Sequence, residues 1–327
     1  MSHLTYLEAA VVGLLQGVTE LFPVSSLGHS VLIPALVGGS WANDLNVAAP
    51  KSPYLAFIVG LHVATAIGIM VYFWRDWIRI IKGFFSSIRH WQIETTDQKL
   101  AWMIILATIP VGLVGLVFDH EFRVLFGKPV RAAIFLVING LILYAGERFR
   151  TRASRQADAQ VLRDRELAQG GVTRSSSLHA SGHRAVRQQE IAEAVQSDER
   201  LTAIGYLQAI VIGSAQVLAL LAGISRDGVT IVAGMFRGLS REEAARFAFL
   251  LATPVILAAG VLKAPDLTGP LGDGIHGQIL VGSILAGIGA YVSVRFLVRY
   301  FQTRTLTPFA IYCVVVGLGA IVYLQLK

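Results

Sequence analysis

Six stretches of this chain, residues 54–74, 100–118, 130–146, 247–262, 279–298 and 306–326, each come close to the ~20 apolar residues that a helix needs to cross the hydrocarbon of a bilayer. The apolar residues lie in long runs, not in the alternating patterns of a soluble core. They make up 54% of the chain, against 15% charged residues, which places it among membrane proteins. The expected fold is an all-α integral membrane protein with six transmembrane helices in a multi-pass arrangement.

Loop charges set the topology. Arg75, Arg79, Lys82 and Arg89 follow the first run, residues 148–200 form a long arginine-rich polar segment, and Arg295, Arg299 and Arg304 precede the last run. Such loops stay on the cytoplasmic side. The loops at 119–129 and 264–277 are short, carry acidic residues among few basic ones, and suit the outer side, which puts both termini outside. The net charge of +7 is therefore read as a topology signal and not as a nucleic-acid footprint. The single cysteine, Cys313, lies in the last apolar run, so neither a disulfide framework nor a thiolate metal site is available. The opening MSHLTYLEAAVVGLLQG lacks a basic leader and a small-residue cleavage site, and its helix is expected to belong to the mature protein.

Two apolar stretches do not fit as spans. Residues 6–36 begin and end outside, whereas residues 202–236 lie between basic segments, the second carrying Arg237, Arg241 and Arg246, and so enter and leave from the cytoplasm. Both are expected to be re-entrant helical hairpins. Shifting the chain by 200 residues superposes Gln16 on Gln216, Ser25 on Ser225 and Gly28 on Gly228 without a gap. A second echo pairs Ala107-Thr108-Ile109-Pro110-Val111 with Ala252-Thr253-Pro254-Val255. Hairpins entering from opposite faces make an inverted-topology repeat, in which broken helices meet at a polar site near the midplane. The chain thus divides into a first half, 1–149, with its hairpin at 6–36; a cytoplasmic polar loop, 150–200; and a second half, 201–327, with its hairpin at 202–236. Residues 151–197 have almost no large apolar side chains and cannot bury a core. Within them, 169–182 reads as a flexible linker between two solvated helices at 153–168 and 184–195.

The polar residues of the hairpins are the candidates for chemistry. Gln16 and Glu20, four apart, share a helix face, and Pro23 ends or kinks that helix before Ser25, Ser26, Gly28 and His29. A carboxylate inside a membrane costs roughly 2.5–3.5 kcal/mol on insertion scales, so Glu20 must face a partner or a wet cavity. The structural alternative is that the serines cap a half-helix and His29 satisfies a backbone carbonyl. The second hairpin carries Gly223-Ile224-Ser225-Arg226-Asp227-Gly228-Val229-Thr230. An arginine fork suits phosphate oxygens, and the amides opening the following half-helix point at the same anion. The alternative there is an ion pair among Arg226, Asp227 and Glu20. His62, on an apolar span, reads as a packed histidine, not a catalytic one. Trp74, Trp77 and Trp91 read as interfacial anchors.

Gln16-x-x-x-Glu20 running into Pro23-Val-Ser-Ser-x-Gly-His29, together with Gly223-x-Ser225-Arg226-x-Gly228-x-Thr230, resembles the undecaprenyl-diphosphate phosphatases of the bacitracin-resistance family over nearly the whole chain. The resemblance implies hydrolysis of undecaprenyl diphosphate to undecaprenyl phosphate and inorganic phosphate at the bacterial cell membrane, with the site opening to the outer side. It implies catalytic roles for Glu20, Ser26 and His29, and diphosphate binding by Arg226 with Ser25, Ser225, Gly228 and Thr230. It also implies the bilayer and a polyprenyl diphosphate lipid as partners, with no nucleic acid and with a homodimer as a compatible assembly. Since a hard cation needs few protein ligands when phosphates supply the rest, Mg²⁺ or Ca²⁺ is expected to bridge phosphate oxygens to Glu20, with Gln16 beside it. Two positions depart from the family pattern: Ala222 stands where a proline is usual and Asp227 where a serine is usual. Either Ser26 assisted by His29, or a water activated by His29 and Glu20, would attack the terminal phosphorus. The rival is a transporter or flippase for an anionic lipid, since inverted repeats around a midplane anion site also build carriers.

Overall fold

The computed structural model describes residues 4–45, 53–126, 128–168, 198–268 and 274–327. All regular structure among them is helical. The chain opens with two short helices, α1 (Tyr6–Thr19) and α2 (Ser26–Val37), then α3 (Gly39–Asp44). Next come α4 (Pro53–Tyr72), α5 (Trp74–His90), α6 (Thr96–Phe126) and α7 (Pro129–Ala168). Beyond the polar insertion lie α8 (Tyr206–Ser214), a 3₁₀ turn (Ala215–Leu220), α9 (Arg226–Phe236), α10 (Arg241–Thr268), α11 (His276–Thr303) and α12 (Thr307–Leu326).

Five helical stretches are long and apolar enough to cross a bilayer: Thr96–Phe118, Pro129–Arg152, Arg241–Lys263, His276–Thr303 and Thr307–Leu326. Phe57–Tyr72 and Trp74–His90 are long and apolar enough only when taken together, and they meet at a bend of 88°, so the count is six if this pair makes one span and five if it does not. The molecule is a multi-pass membrane protein. Its long helices turn large apolar side chains such as Ile109, Leu113, Leu116, Ile284, Ile288 and Val315 outward, where a bilayer would cover them.

The expected limits of two elements change. The acidic loop foreseen at 119–129 is helical through Phe126, as the C-terminal continuation of α6. The first solvated helix foreseen in the insertion, 153–168, is the projecting end of the 40-residue α7, which at 1.5 Å per residue outruns the bilayer. The linker at 169–182 and the helix at 184–195 lie outside the described residues.

α1 and α2 have 14 and 12 residues, each too short for a ~30 Å hydrocarbon layer at 1.5 Å per residue. α1 starts at a capping box, in which Thr5 Oγ1 accepts the Glu8 amide and the Glu8 carboxylate accepts the Thr5 amide. It lies on α11, as α8 lies on α6. Both contacts are backbone-close. A Cβ on Gly13 would come within 2.3 Å of the Gly282 carbonyl oxygen, and one on Gly213 within 2.1 Å of that of Ala107. Small residues at such crossings let membrane helices approach. Beneath the end of α1, Phe22 stacks on Phe296 at 5.9 Å and meets Phe309 edge-on at 5.6 Å, so an aromatic cluster anchors the connector between α1 and α2.

α5 is amphipathic. Phe73, Ile80, Gly83 and Ser87 face the protein, whereas Trp74, Ile78, Ile81, Phe85 and Ile88 form an exposed apolar stripe. Arg79 binds Asp76 at 2.7 Å, Asp97 at 3.0 Å and Asp198 at 2.8 Å, and Arg246 binds Asp76 at 3.0 Å and Asp198 at 2.9 Å. This network ties α5, α6, the residues just past the insertion and the start of α10 into one block.

Candidate functional site

The connector between α1 and α2 meets the one between the 3₁₀ turn and α9 in the interior of the bundle. Asn139 of α7, fully buried, joins them. Its Nδ2 donates to the Pro23 carbonyl at 2.9 Å, and its Oδ1 accepts the Ser225 amide at 2.9 Å. Ser25 makes a second bridge, its Oγ accepting the amides of Gly28 and Gly223, each at 3.2 Å. Ser25 has a φ of 69°, a strained value for a residue with a Cβ, and such strain concentrates where geometry is functional. Ser225 caps α9 as Ser25 caps α2, each hydroxyl accepting the amide three residues on, Gly228 or Gly28.

Glu20, at the end of α1, is buried and is the hub of the site. Its Oε2 accepts a hydrogen bond from Gln16 Nε2 at 2.8 Å and another from the Ser26 hydroxyl. Its Oε1 pairs with Arg226 NH2 at 2.9 Å. His62 Nε2 lies 3.4 Å from Oε2, while His62 Nδ1 is 2.9 Å from the Ile58 carbonyl. Arg226 Nε reaches Asp227 Oδ1 at 3.4 Å, and Asp227 Oδ2 is buried without a partner. Glu20, Ser25, Ser26, His62, Ser225 and Arg226 line one cavity of about 290 Å³, with apolar walls from α4, α6 and α10. A second, apolar cavity of about 320 Å³ lies between α6 and α10, and Val111, Leu220, Val255, Ala259 and Lys263 belong to the walls of both. Val111 and Val255 are the matching valines of the two Ala-Thr-Pro echoes.

The structure therefore brings together Glu20, Ser26, Arg226, Ser25, Ser225 and Gln16. Gly228 and Thr230 serve α9 itself, Gly228 through the Ser225 cap and Thr230 by donating its hydroxyl to the Arg226 carbonyl at 2.7 Å. His29 is buried with Nδ1 2.7 Å from the Ser25 carbonyl and Nε2 2.8 Å from the Tyr312 hydroxyl, and it is not part of the cavity wall. The serine's acceptor is thus Glu20 and not His29. The reading of His62 as a packing residue is corrected: one nitrogen does bind the backbone, but the other faces the central carboxylate. Sequence reasoning also missed Asn139 and the chemistry of Gln216. Gln216 belongs to the cavity wall and has both carboxamide atoms buried without partners. Its one signal was its register with Gln16.

Among the described residues no group of three or more His, Cys, Asp or Glu side chains is placed to hold a metal ion. Glu20 is the one carboxylate in the cavity wall, and its oxygens already carry Ser26, Gln16 and Arg226.

These features define a helical membrane protein with a buried carboxylate, hydroxyl and guanidinium facing a cavity that merges with an apolar groove. The family model of the bacitracin resistance protein BacA matches residues 9–319, and the chain belongs to that family. An undecaprenyl-diphosphatase of Mycolicibacterium paratuberculosis is 59% identical over 326 residues, covering 100% of this chain and 99% of that protein. Undecaprenyl-diphosphatase 2 of Frankia alni is 54% identical, covering 97% of each. Undecaprenyl-diphosphatase 2 of Burkholderia ambifaria is 37% identical, covering 94% of this chain and 92% of its own.

Proposed function

We propose that this protein hydrolyses undecaprenyl diphosphate to undecaprenyl phosphate and inorganic phosphate in the bacterial cell membrane, returning the lipid carrier to cell-wall synthesis and conferring bacitracin resistance. The observation that carries this reading is the Ser26 hydroxyl donating to buried Glu20, whose other oxygen holds Arg226, beside a groove able to take a lipid chain. A carrier needs a cation for its anionic cargo but has no use for a hydroxyl hydrogen-bonded to a base. The activity for which the relatives are named supports the phosphatase as well.

Arg226 binds the terminal phosphate and spreads its charge. Ser26 Oγ attacks the terminal phosphorus as Glu20 takes the hydroxyl proton. The new O–P bond forms as the bond from that phosphorus to the bridging oxygen breaks, and undecaprenyl phosphate leaves with the electron pair and the proton that Glu20 had taken. Glu20, again a carboxylate, deprotonates a water that attacks the phosphoserine phosphorus; the Ser26 O–P bond breaks, Ser26 Oγ takes the proton back from Glu20, and inorganic phosphate leaves. His29 positions Ser26 by holding the first turn of α2 between the Ser25 carbonyl and Tyr312. A divalent cation, Mg²⁺ or Ca²⁺, would arrive with the diphosphate and displace a hydrogen bond now made to Glu20, which would be its protein ligand with Gln16 beside it; such an ion would neutralise phosphate charge.

The finer architecture belongs to the same reading. The paired serine caps, and the matching contacts of Gly13 and Gly213 with neighbouring helices, support two opposed re-entrant hairpins in an inverted repeat. With the arginine-rich ends cytoplasmic, α10 runs outward from Arg241, so a cavity walled from Val255 to Lys263 supports a site open to the outer face.

The test is phosphate release from undecaprenyl diphosphate in detergent micelles, with and without Mg²⁺ or Ca²⁺. Wild type is expected to be active. Glu20→Gln, Ser26→Ala and Arg226→Ala are each expected to lose at least about 100-fold, the scale of losing a general base or a preorganised charge. A folded wild type that releases no phosphate overturns the reading in favour of a carrier.

A further inference from the structure

Arg226 already serves two carboxylates, Glu20 at 2.9 Å and Asp227 at 3.4 Å. A diphosphate entering this cavity adds negative charge to a place of low dielectric, where an unbalanced charge is costly. A second cation stands at the right place. Lys263 is the one charged residue shared by the walls of the polar cavity and the apolar groove. It is the last residue of the span Arg241–Lys263 and follows Val255 and Ala259 at intervals of four, on the helix face that walls both cavities. Helical side chains lean toward the N-terminus of their helix, so the Lys263 stem is directed from the outer end of α10 down toward the site. Its neighbour Val261 is 73% exposed, whereas Lys263 is half-buried beside Leu262 in the groove wall.

We propose that Lys263 binds the lipid-proximal phosphate of the polyprenyl diphosphate, the phosphate that remains on the product, while Arg226 holds the terminal one. This rests on the phosphatase reading above. The junction of a polar cavity and an apolar groove is where the last polar group of a lipid diphosphate meets its chain, and Lys263 supplies the charge there. Because the breaking P–O bond leaves its electron pair on that phosphate, the contact exists in the ground state and strengthens in the transition state. Its loss therefore raises KM and also lowers kcat.

The experiment is steady-state phosphate release by the purified full chain in micelles, against the mole fraction of undecaprenyl diphosphate, for wild type, Lys263→Met, Lys263→Gln and Lys263→Arg. Inhibition by undecaprenyl phosphate and by inorganic phosphate is measured alongside. Met keeps the apolar stem and removes only the charge. In Met and Gln variants KM is expected to rise about 10-fold, the scale of one charge-assisted hydrogen bond, and kcat is expected to fall as well. Inhibition by undecaprenyl phosphate weakens by a similar factor, and inhibition by inorganic phosphate is unchanged. Lys263→Arg stays within about threefold of wild type in KM and in product inhibition, an outcome that stands even if the other variants fold poorly. An unchanged KM in Lys263→Met, a risen KM with product inhibition intact, or an Arg variant that loses both would each overturn the assignment. A wild type without phosphate release fails differently, since it removes the phosphatase reading itself.

Discussion

At the residue scale the site holds a polar group with nothing to bind. Gln216 sits in the cavity wall with both carboxamide atoms buried and unpartnered, and a buried polar group without a hydrogen bond costs about 1–3 kcal/mol. Gln216→Leu removes that cost at similar volume, so its thermal unfolding midpoint without substrate is expected to equal or exceed wild type. If the carboxamide serves the reaction, the same variant loses about 10-fold in phosphate release; a lower midpoint with full activity would make Gln216 a structural residue instead. The motif residues that meet here were legible because their types are out of place in a membrane: Glu20 and Arg226 could not be placed among apolar helices without a purpose. His62 and Asn139 were not legible. His62 has the backbone contact of an ordinary packed histidine, and its second nitrogen meets Glu20 only through the packing of α4. Asn139 joins Pro23 and Ser225, partners 116 and 86 residues away, and carries no motif of its own.

At the scale of elements, the connector before α9 depends on Gly223. Its φ of 113° is strained for any residue with a Cβ, and a Cβ there would come within 2.3 Å of the Ala132 carbonyl oxygen and 2.7 Å of the Leu136 amide nitrogen. These atoms are the backbone of α7 and cannot step aside. Gly223→Ala is therefore expected to push the connector off α7, drag Arg226 away from Glu20, and lower both the unfolding midpoint and phosphate release, the latter more than 10-fold. Gly112→Ala on α6 is the control. Nothing lies within 4 Å of its Cβ position, so activity and midpoint should stay near wild type. A tolerated Gly223→Ala, checked by the same two measurements, would show that the connector does not set the arginine's position. Five spans were legible from run length, and the breaks after α1 and before α9 from the polar residues that interrupt their apolar runs. The turn of α5 was not: its charges marked a cytoplasmic loop, but the 88° bend depends on Phe73 packing against the bundle and on Arg79 and Arg246 gripping the same aspartates, which only tertiary contact creates.

At the scale of the whole molecule, the position of the apolar groove decides which substrates the polar cavity can use. Thr108, Gly112, Gly115 and Leu116 of α6 face Val255, Ala258, Ala259 and Leu262 of α10, and this wall is continuous with the one that holds Glu20 and Arg226. A lipid diphosphate can then keep its chain between two helices while its head stays in the cavity; because the chain comes from hydrocarbon and not from water, the groove adds to binding through close packing over the length that it covers. Filling the groove should separate chain from head. Gly112→Phe places a ring where a methyl group meets nothing, and it is expected to raise KM for undecaprenyl diphosphate at least 10-fold. Isopentenyl diphosphate, whose five-carbon chain need not run along the groove, should be turned over nearly as before. The comparison is made on one preparation, so a folding defect would depress both substrates together and be recognised as such. If Gly112→Phe leaves both substrates untouched, the chain must leave the cavity by another path between the helices, and the continuity of these two walls is a feature of packing alone.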